Sequence, residues 1–156
     1  MKKALTLLTL CACVLSHPVT SIAADAKKKS VDPKSIYARI CGQPAINATV
    51  DLFYKKILND KRLKHHFEDI NMKKLHQRQK TCIAMALGGP NNYKGNADMR
   101  KVHAWMKITE QEFNIVAGHL RATLTELKVD KKLVGEVMAV VGSTKDAVLN
   151  RPAQAN

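Results

Sequence analysis

LGGPNNYKGNADMRKVHAWMKIT, residues 87–109, is the most informative segment of this chain. Gly88, Gly89 and Pro90 end the apolar helical segment that precedes them, because glycine and proline do not continue a helix. A loop rich in Gly and Asn follows, and a short helical turn then carries one histidine, His103. The stretch therefore predicts an isolated histidine on a short helix between two longer amphipathic helices.

Two amphipathic helices are predicted before this stretch, because apolar residues recur there at helical spacing. The first is predicted to begin at Ala45, after a break at Gly42 to Pro44, and its apolar stripe contains Ile46, Val50, Phe53, Tyr54 and Ile57. The second is capped by Asn71, and its stripe contains Met72, Leu75, Gln79, Cys82, Ile83 and Ala86. A short helical turn at residues 35–41 precedes both.

Two further helices are predicted after it. Thr109 and Glu112 have the spacing of a capping box, and Asp130 can cap the last helix. The inward residues predicted for these helices are Phe113, Val116, Leu120, Leu124 and Leu127, then Leu133, Val137, Val140 and Val141. No run of alternating apolar residues bounded by turns is present, so the sequence predicts an all-α fold.

Tyr54 and Gln79 place polar groups on or beside buried stripes, where a hydroxyl and an amide each need a partner. Either they satisfy each other or a backbone carbonyl, or both face a ligand held between the helices. A single histidine such as His103 facing such donors is the minimal arrangement for a haem, with a ligand below and a hydrogen-bond donor above. The competing interpretation of His103 is a hydrogen-bonded core histidine.

The other histidines give weaker signals. His119 lies in the middle of a helix and is the natural competitor of His103. His65 and His66 lie in a polar connection and are expected to be solvated, and His76 is expected to turn aside from the stripe beside it. Zinc sites need three or four clustered ligands, and the spacing of these residues predicts none.

The N-terminus has the pattern of a secretory signal. Residues 1–24 contain Lys2 and Lys3, a short apolar run and a small-residue end, so the mature chain is expected in the periplasm or secreted, without a transmembrane span. Lipidation at Cys13 is the alternative. Residues 25–34 are expected to be a basic disordered linker, residues 35–150 one domain, and residues 151–156 a flexible tail.

Composition adds a strong positive charge. The formal net charge is +13, and most lysines are scattered over the predicted helices. A basic helical module that binds anionic surfaces is therefore an alternative function, but aromatic residues make up only 4% of the chain and an export signal disfavours nucleic acid. Cys41 and Cys82 could form a disulfide or remain free thiols. No CxxCH motif is present, so covalent attachment of haem in the c-type manner is not expected.

Residues 35–150 resemble the group I truncated haemoglobins, which are two-on-two helical globins. The resemblance lies in SIYARICGQPAI (35–46), DLFYKKIL (51–58), HHF (65–67), LHQRQK (75–80), LGGPNNYKG (87–95), MRKVHAWMKIT (99–109) and AGHL (117–120). It implies a truncated globin fold around one non-covalent haem b, with a short helix after a Gly/Pro-rich loop.

The resemblance also implies roles for individual residues. His103 corresponds to the ligand of the haem iron, Phe67 to the phenylalanine that packs against the haem plane, and Tyr54 and Gln79 to the donors that stabilise the bound ligand. Leu75 takes the position where many globins carry a distal histidine. The remaining implied pocket residues are Met99, Val102 and Phe113 as apolar lining, with Arg78 and Tyr93 near the haem propionates.

The function implied is reversible binding of dioxygen, as in oxygen transport, and of other diatomic ligands such as NO and CO. Nitric oxide dioxygenation or a peroxidase-like detoxification is the alternative implied by the resemblance. Either activity would need an external reductant, such as a separate periplasmic protein, since no flavin or nicotinamide motif appears in the chain.

Overall fold

The computed structural model describes residues 31–152, and every regular element within them is helical. The elements are α1 (Ile36–Arg39), α2 (Gly42–Asn59), a 3₁₀ turn (Lys64–Phe67), α3 (Met72–Ala86), α4 (Met99–His103), α5 (Glu110–Glu126), α6 (Lys131–Ser143) and α7 (Lys145–Val148). The all-α prediction is confirmed. The predicted signal peptide, the alternative lipidation at Cys13 and residues 153–156 lie outside the described residues.

Helix α2 is the centre of the packing, because α1, α3, α5 and the 3₁₀ turn all contact it. Among the side chains that are almost completely removed from solvent, Ile46, Val50 and Ile57 lie on α2, Leu63 lies just before the 3₁₀ turn, and Thr123 lies on α5. Helix α6 closes the core by packing on α5 and α1. Within residues 31–152 no helix is both long enough and apolar enough to cross a membrane.

The predicted caps are confirmed. Asn71 accepts a hydrogen bond from the Lys74 amide at the start of α3. Thr109 and Glu112 form a complete capping box at the start of α5, and Asp130 caps α6 through the amide of Lys132. These side chains replace the partners that the first amides of a helix lack.

The structure differs from the predictions at three places in the chain. Helix α2 begins at Gly42 rather than Ala45, because Pro44 lies in its first turn, where a missing N–H removes no intrahelical hydrogen bond. Leu127 was predicted to face inward but follows the end of α5 and is 37% exposed. Arg151, which begins the predicted tail, forms ion pairs with Glu110 and Asp146 and is held against α5 and α7.

Of the two possibilities for the cysteines, the structure shows free thiols. Cys41 is exposed just before α2, and Cys82 is buried in α3. Burial raises the pKa of the Cys82 thiol, because a thiolate is poorly solvated there.

Helix α3 ends in a Schellman motif at Gly88 and Gly89. The Gly88 amide donates to the Met85 carbonyl, and the Gly89 amide donates to the Ala84 carbonyl at 2.8 Å. Gly88 has a left-handed φ of 83°. The chain passes so close to α1 at this point that a Cβ on Gly88 would lie 2.8 Å from the Ser35 Cβ. The reversal therefore needs glycine for both conformation and space.

Replacing Gly88 with alanine is expected to destabilise the protein by at least about 1–2 kcal/mol, since the left-handed conformation alone costs a Cβ-bearing residue that much. Urea unfolding followed by circular dichroism measures the change. Gly135→Ala in α6 is the matched control, because nothing lies within 4 Å of its added Cβ; it should be stabilising by about 0.5–1 kcal/mol. Equal stability of the Gly88→Ala variant and the unmodified protein would contradict this assignment.

Candidate functional site

His103 ends the short helix α4, and its ring orientation is fixed by its own helix. Its Nδ1 lies 2.7 Å from the Met99 carbonyl oxygen. A carbonyl can only accept, so Nδ1 carries the hydrogen and Nε2 of the neutral ring keeps its lone pair. The side chain is half-buried. Such a ring is prepared to bind a metal ion through Nε2, because a hydrogen bond at the other nitrogen orients a ligating histidine.

Tyr54 lies on the inner face of α2 and is only 4% exposed. Its ring meets that of Phe67 edge-on, with centroids 6.0 Å apart. No hydrogen bond among the described residues reaches its hydroxyl. Burial raises the pKa of Tyr54 far above its ordinary value, because the phenolate would be poorly solvated. The phenol is therefore a protonated donor that has no partner within residues 31–152.

Gln79 is half-buried on α3 and likewise makes no side-chain hydrogen bond within residues 31–152. The prediction left open whether Tyr54 and Gln79 satisfy each other, and the structure shows that they do not. Leu75, one turn before Gln79, packs against the same core as Tyr54 and Phe67. In the described part of the chain, α2 and α3 therefore each carry a hydrogen-bonding side chain that has no partner and lies beside apolar neighbours.

His76 was predicted to turn away from the apolar stripe, and this prediction is wrong. Its ring stacks on Tyr54, with centroids 4.6 Å apart and planes inclined by 25°. Its Nδ1 lies 3.3 Å from Asp51 Oδ1, whereas its Nε2 is buried without a partner among the described residues. The periodicity of apolar residues could not predict this contact, because histidine counts as polar in such a pattern. The flat face of its ring can nevertheless stack on an aromatic ring.

The remaining apolar candidates lie apart from the Tyr54 core. Met99 and Val102 are half-buried on α4, and Phe113 is buried on α5. None of these three belongs to the connected core that contains Tyr54, Phe67 and Leu75. Helix α4 packs mainly on α7. The candidates therefore form two groups, one on α2, α3 and the 3₁₀ turn, and the other on α4 and α5.

Tyr93 and Arg78 lie near each other, since the charge of Arg78 acts on the Tyr93 phenol. Tyr93 is half-buried, and its hydroxyl donates to the Asn96 carbonyl at 3.1 Å. Burial raises the pKa of Tyr93, while the positive charge of Arg78 opposes the shift. Arg78 itself is exposed. The guanidinium of Arg78 can therefore pair with an acidic group at the surface.

His119, the other candidate histidine, is paired with a carboxylate. Its Nε2 lies 2.8 Å from Asp60 Oδ2, and Asp60 is also held by Arg62. Both contacts keep the pKa of Asp60 far below its ordinary value, the Arg62 hydrogen bond being the larger cause. A solvent-open cleft of about 600 Å³ lies beside this group, and it is lined by Lys56, Asn59, Asp60, Lys61, Arg62, His119 and Ala122. None of the predicted site residues lines it.

The position of His103 depends on a cap at the start of α4. The Asp98 carboxylate accepts hydrogen bonds from the Arg100 and Lys101 amides. We expect Asp98→Ala to cost about 1 kcal/mol of helix stability and to speed hydrogen exchange at the Val102 amide about fivefold. Exchange monitored by NMR measures this, with Asp98→Ser as the control that keeps a cap. An unchanged exchange rate in Asp98→Ala would show that other contacts hold α4.

Known proteins are similar to this chain in both sequence and fold. A model of the bacterial-like globin family matches residues 35–150. A group 1 truncated haemoglobin of Tetrahymena thermophila is 38% identical over 117 residues, which cover 75% of this chain and 96% of that protein. The crystal structure of truncated haemoglobin from Tetrahymena pyriformis in its Fe(III) form gives a TM-score of 0.71 at 37% identity, covering 74% of this chain and 98% of that one. The 2/2 haemoglobin of Synechococcus, in the cyanomet state with covalently attached haem, gives a TM-score of 0.71 at 35% identity over 75% of this chain and 99% of its own.

Proposed function

This chain belongs to the bacterial-like globin family, and from that membership we propose that it binds one non-covalent haem b through His103 and binds dioxygen reversibly. Globins are haem proteins that bind diatomic gases, and the neighbouring structures are truncated two-on-two haemoglobins. The observation that carries the proposal is the hydrogen bond from His103 Nδ1 to the Met99 carbonyl, which leaves Nε2 free to bind iron.

The residues present fit a haem. When bound, the haem would supply an iron atom that can take an imidazole ligand and bind a diatomic gas. His103 offers the imidazole, and Met99, Val102 and Phe113 offer apolar surface on its side. Phe67, Leu75 and the ring of Tyr54 would offer further apolar surface to the haem, from the 3₁₀ turn, α3 and α2 respectively.

Two further residues complete the proposed cofactor site. The guanidinium of Arg78 is exposed and near Tyr93, so it can pair with a haem propionate at the surface. Tyr93 is already hydrogen-bonded to the Asn96 carbonyl, and it would therefore contribute chiefly ring surface. The non-covalent mode of binding is proposed because no CxxCH motif is present.

Tyr54 and Gln79 have the chemistry to select oxygen. Hydrogen-bond donors beside a haem would favour dioxygen over carbon monoxide, because dioxygen is the better hydrogen-bond acceptor of the two ligands. The Tyr54 hydroxyl and the Gln79 amide have no other partner among the described residues and would be those donors. Each hydrogen bond to a charged acceptor contributes about 1.5–3 kcal/mol. The side chain of Leu75 has no hydrogen-bond donor. Hydrogen bonds to the ligand would therefore come from Tyr54 on α2 and from Gln79 on α3.

Removing the Tyr54 hydroxyl should therefore accelerate oxygen release. We expect Tyr54→Phe to raise the oxygen dissociation rate about ten- to a hundredfold, which corresponds to the loss of one hydrogen bond to a charged acceptor. The carbon monoxide dissociation rate should change much less. Stopped-flow replacement of oxygen by carbon monoxide measures the first rate, and replacement of carbon monoxide by nitric oxide measures the second.

Tyr37→Phe is the matched control. Tyr37 lies on α1, where its ring packs against Gly89, and it is not one of the proposed pocket residues. This variant should release oxygen at the rate of the unmodified protein. If Tyr54→Phe also releases oxygen at that rate, the phenol does not stabilise the ligand and the proposed role of Tyr54 is wrong.

The state of the phenol also predicts a pH profile. Since burial raises the pKa of Tyr54 above its ordinary value, the hydroxyl stays protonated across the range in which an exposed tyrosine begins to ionise. The oxygen dissociation rate should be constant from pH 7 to about pH 10. A rise in that rate with a midpoint within this range, present in the unmodified protein and absent from Tyr54→Phe, would show that the phenol ionises and would contradict the prediction.

A further inference from the structure

The 3₁₀ turn and the first turn of α5 bring two histidines and a carboxylate together. His66 Nε2 lies 3.0 Å from Glu112 Oε1, and His65 Nε2 lies 3.6 Å from the same oxygen. The two imidazole rings are also adjacent, with centroids 4.0 Å apart. One ligand atom from each of the three residues lies within 4.8 Å of the others.

Sequence spacing could not predict this cluster. His65 and His66 were expected to be solvated, and Glu112 was recognised only as part of a capping box. In the structure His66 and Glu112 are largely buried, with 13% and 17% of their side chains exposed, whereas His65 is 55% exposed. The prediction failed because Glu112 is 46 residues further along the chain than His66.

We propose that His65, His66 and Glu112 form a binding site for a divalent transition-metal ion, with zinc as the best match. Imidazole nitrogen and carboxylate oxygen are ligands that zinc prefers, at about 2.0–2.2 Å from the metal. Tetrahedral coordination at that distance separates neighbouring ligand atoms by about 3.3 Å. The separations of 3.0 and 3.6 Å in the cluster bracket this value. Small side-chain movements would therefore complete the coordination.

The carboxylate of this site is already oriented. Glu112 Oε2 accepts hydrogen bonds from the Thr109 amide and from the Thr109 hydroxyl, both at 2.8 Å. The other oxygen, Oε1, is left to face the two histidines. Such outer contacts fix the direction of a ligating group and strengthen metal binding. The Thr109 hydrogen bonds also lower the pKa of Glu112 to about 2, so the carboxylate is ionised at neutral pH.

The exposure of His65 leaves one side of the cluster open to solvent. Three protein ligands and a water molecule would give four-coordinate zinc, with the water on the solvent side. A bound ion would join the 3₁₀ turn to the start of α5. Phe67 follows His66 directly and contacts the Tyr54 ring, so the ion would also restrain the segment that carries Phe67.

Zinc titration of the purified protein by isothermal calorimetry tests the site. The unmodified protein should bind zinc at one equivalent per chain. His65→Ala removes an exposed ligand, and Glu112→Gln removes the carboxylate while keeping a capping box, which glutamine also forms. Each variant should bind zinc at least about tenfold more weakly. Zinc should raise the midpoint temperature of thermal unfolding in the unmodified protein, and should raise it much less in either variant.

His119→Ala is the matched control, because His119 also pairs with a carboxylate but belongs to no cluster of three possible metal ligands among the described residues. Its zinc affinity should equal that of the unmodified protein. The proposal is overturned if the unmodified protein shows no saturable zinc binding, if His65→Ala and Glu112→Gln bind zinc as tightly as it does, or if His119→Ala loses affinity equally. Because the readout is zinc binding, failure here leaves the proposed haem site untouched.

Discussion

The left-handed turn at Gly88 is the constraint on which the arrangement of the helices depends. It ends α3 and brings α1 against the end of that helix, where the Tyr37 amide donates to the Leu87 carbonyl at 2.8 Å. Gly89 continues the turn so close to the Tyr37 ring that its added Cβ would lie 2.5 Å from a ring carbon. The chain then leaves the core and returns as α4, which carries the proposed iron ligand. The reversal therefore separates α3 from α4, the element that carries His103.

Helix α4 illustrates how a small element can present a functional side chain. It has only five residues, and helices this short are not stable alone in water. The Asp98 cap, the hydrogen bond from His103 to Met99 and the packing on α7 together hold it. In the proposed haem complex the same hydrogen bond would both keep the ring tautomer and aim Nε2 at the iron.

Local signals in the sequence were sufficient for most of the fold. Caps such as Asn71 and Asp130, and the glycine stop after α3, act within one helical turn, so a short window of sequence contains the whole interaction. The start of α2 was misplaced because Pro44 reads as a break wherever it stands, whereas its effect depends on whether it lies in the first turn. The resemblance to truncated haemoglobins supplied the candidate residues that no local pattern identifies, such as Phe67 and Arg78.

Contacts between distant segments could not be predicted in this way. His76 stacks on Tyr54 from a different helix, and Glu112 meets His66 across 46 positions of the chain. Both pairs depend on how helices cross, which hydrophobic periodicity does not encode. Tyr54 and Gln79 show the opposite case. Their polarity on buried stripes was visible in the sequence, and the structure added that neither has a partner among the described residues.

The role of His103 as the iron ligand is tested by the visible spectrum of the haem-reconstituted protein, recorded beside that of His103→Gly. The unmodified protein should take up one haem per chain and give a sharp Soret band and a stable oxygenated spectrum. His103→Gly should lose that oxygenated spectrum, and added imidazole should restore it by replacing the missing ring. Haem uptake and an oxygenated spectrum that remain unchanged in His103→Gly without imidazole would contradict the assignment of His103 as the iron ligand.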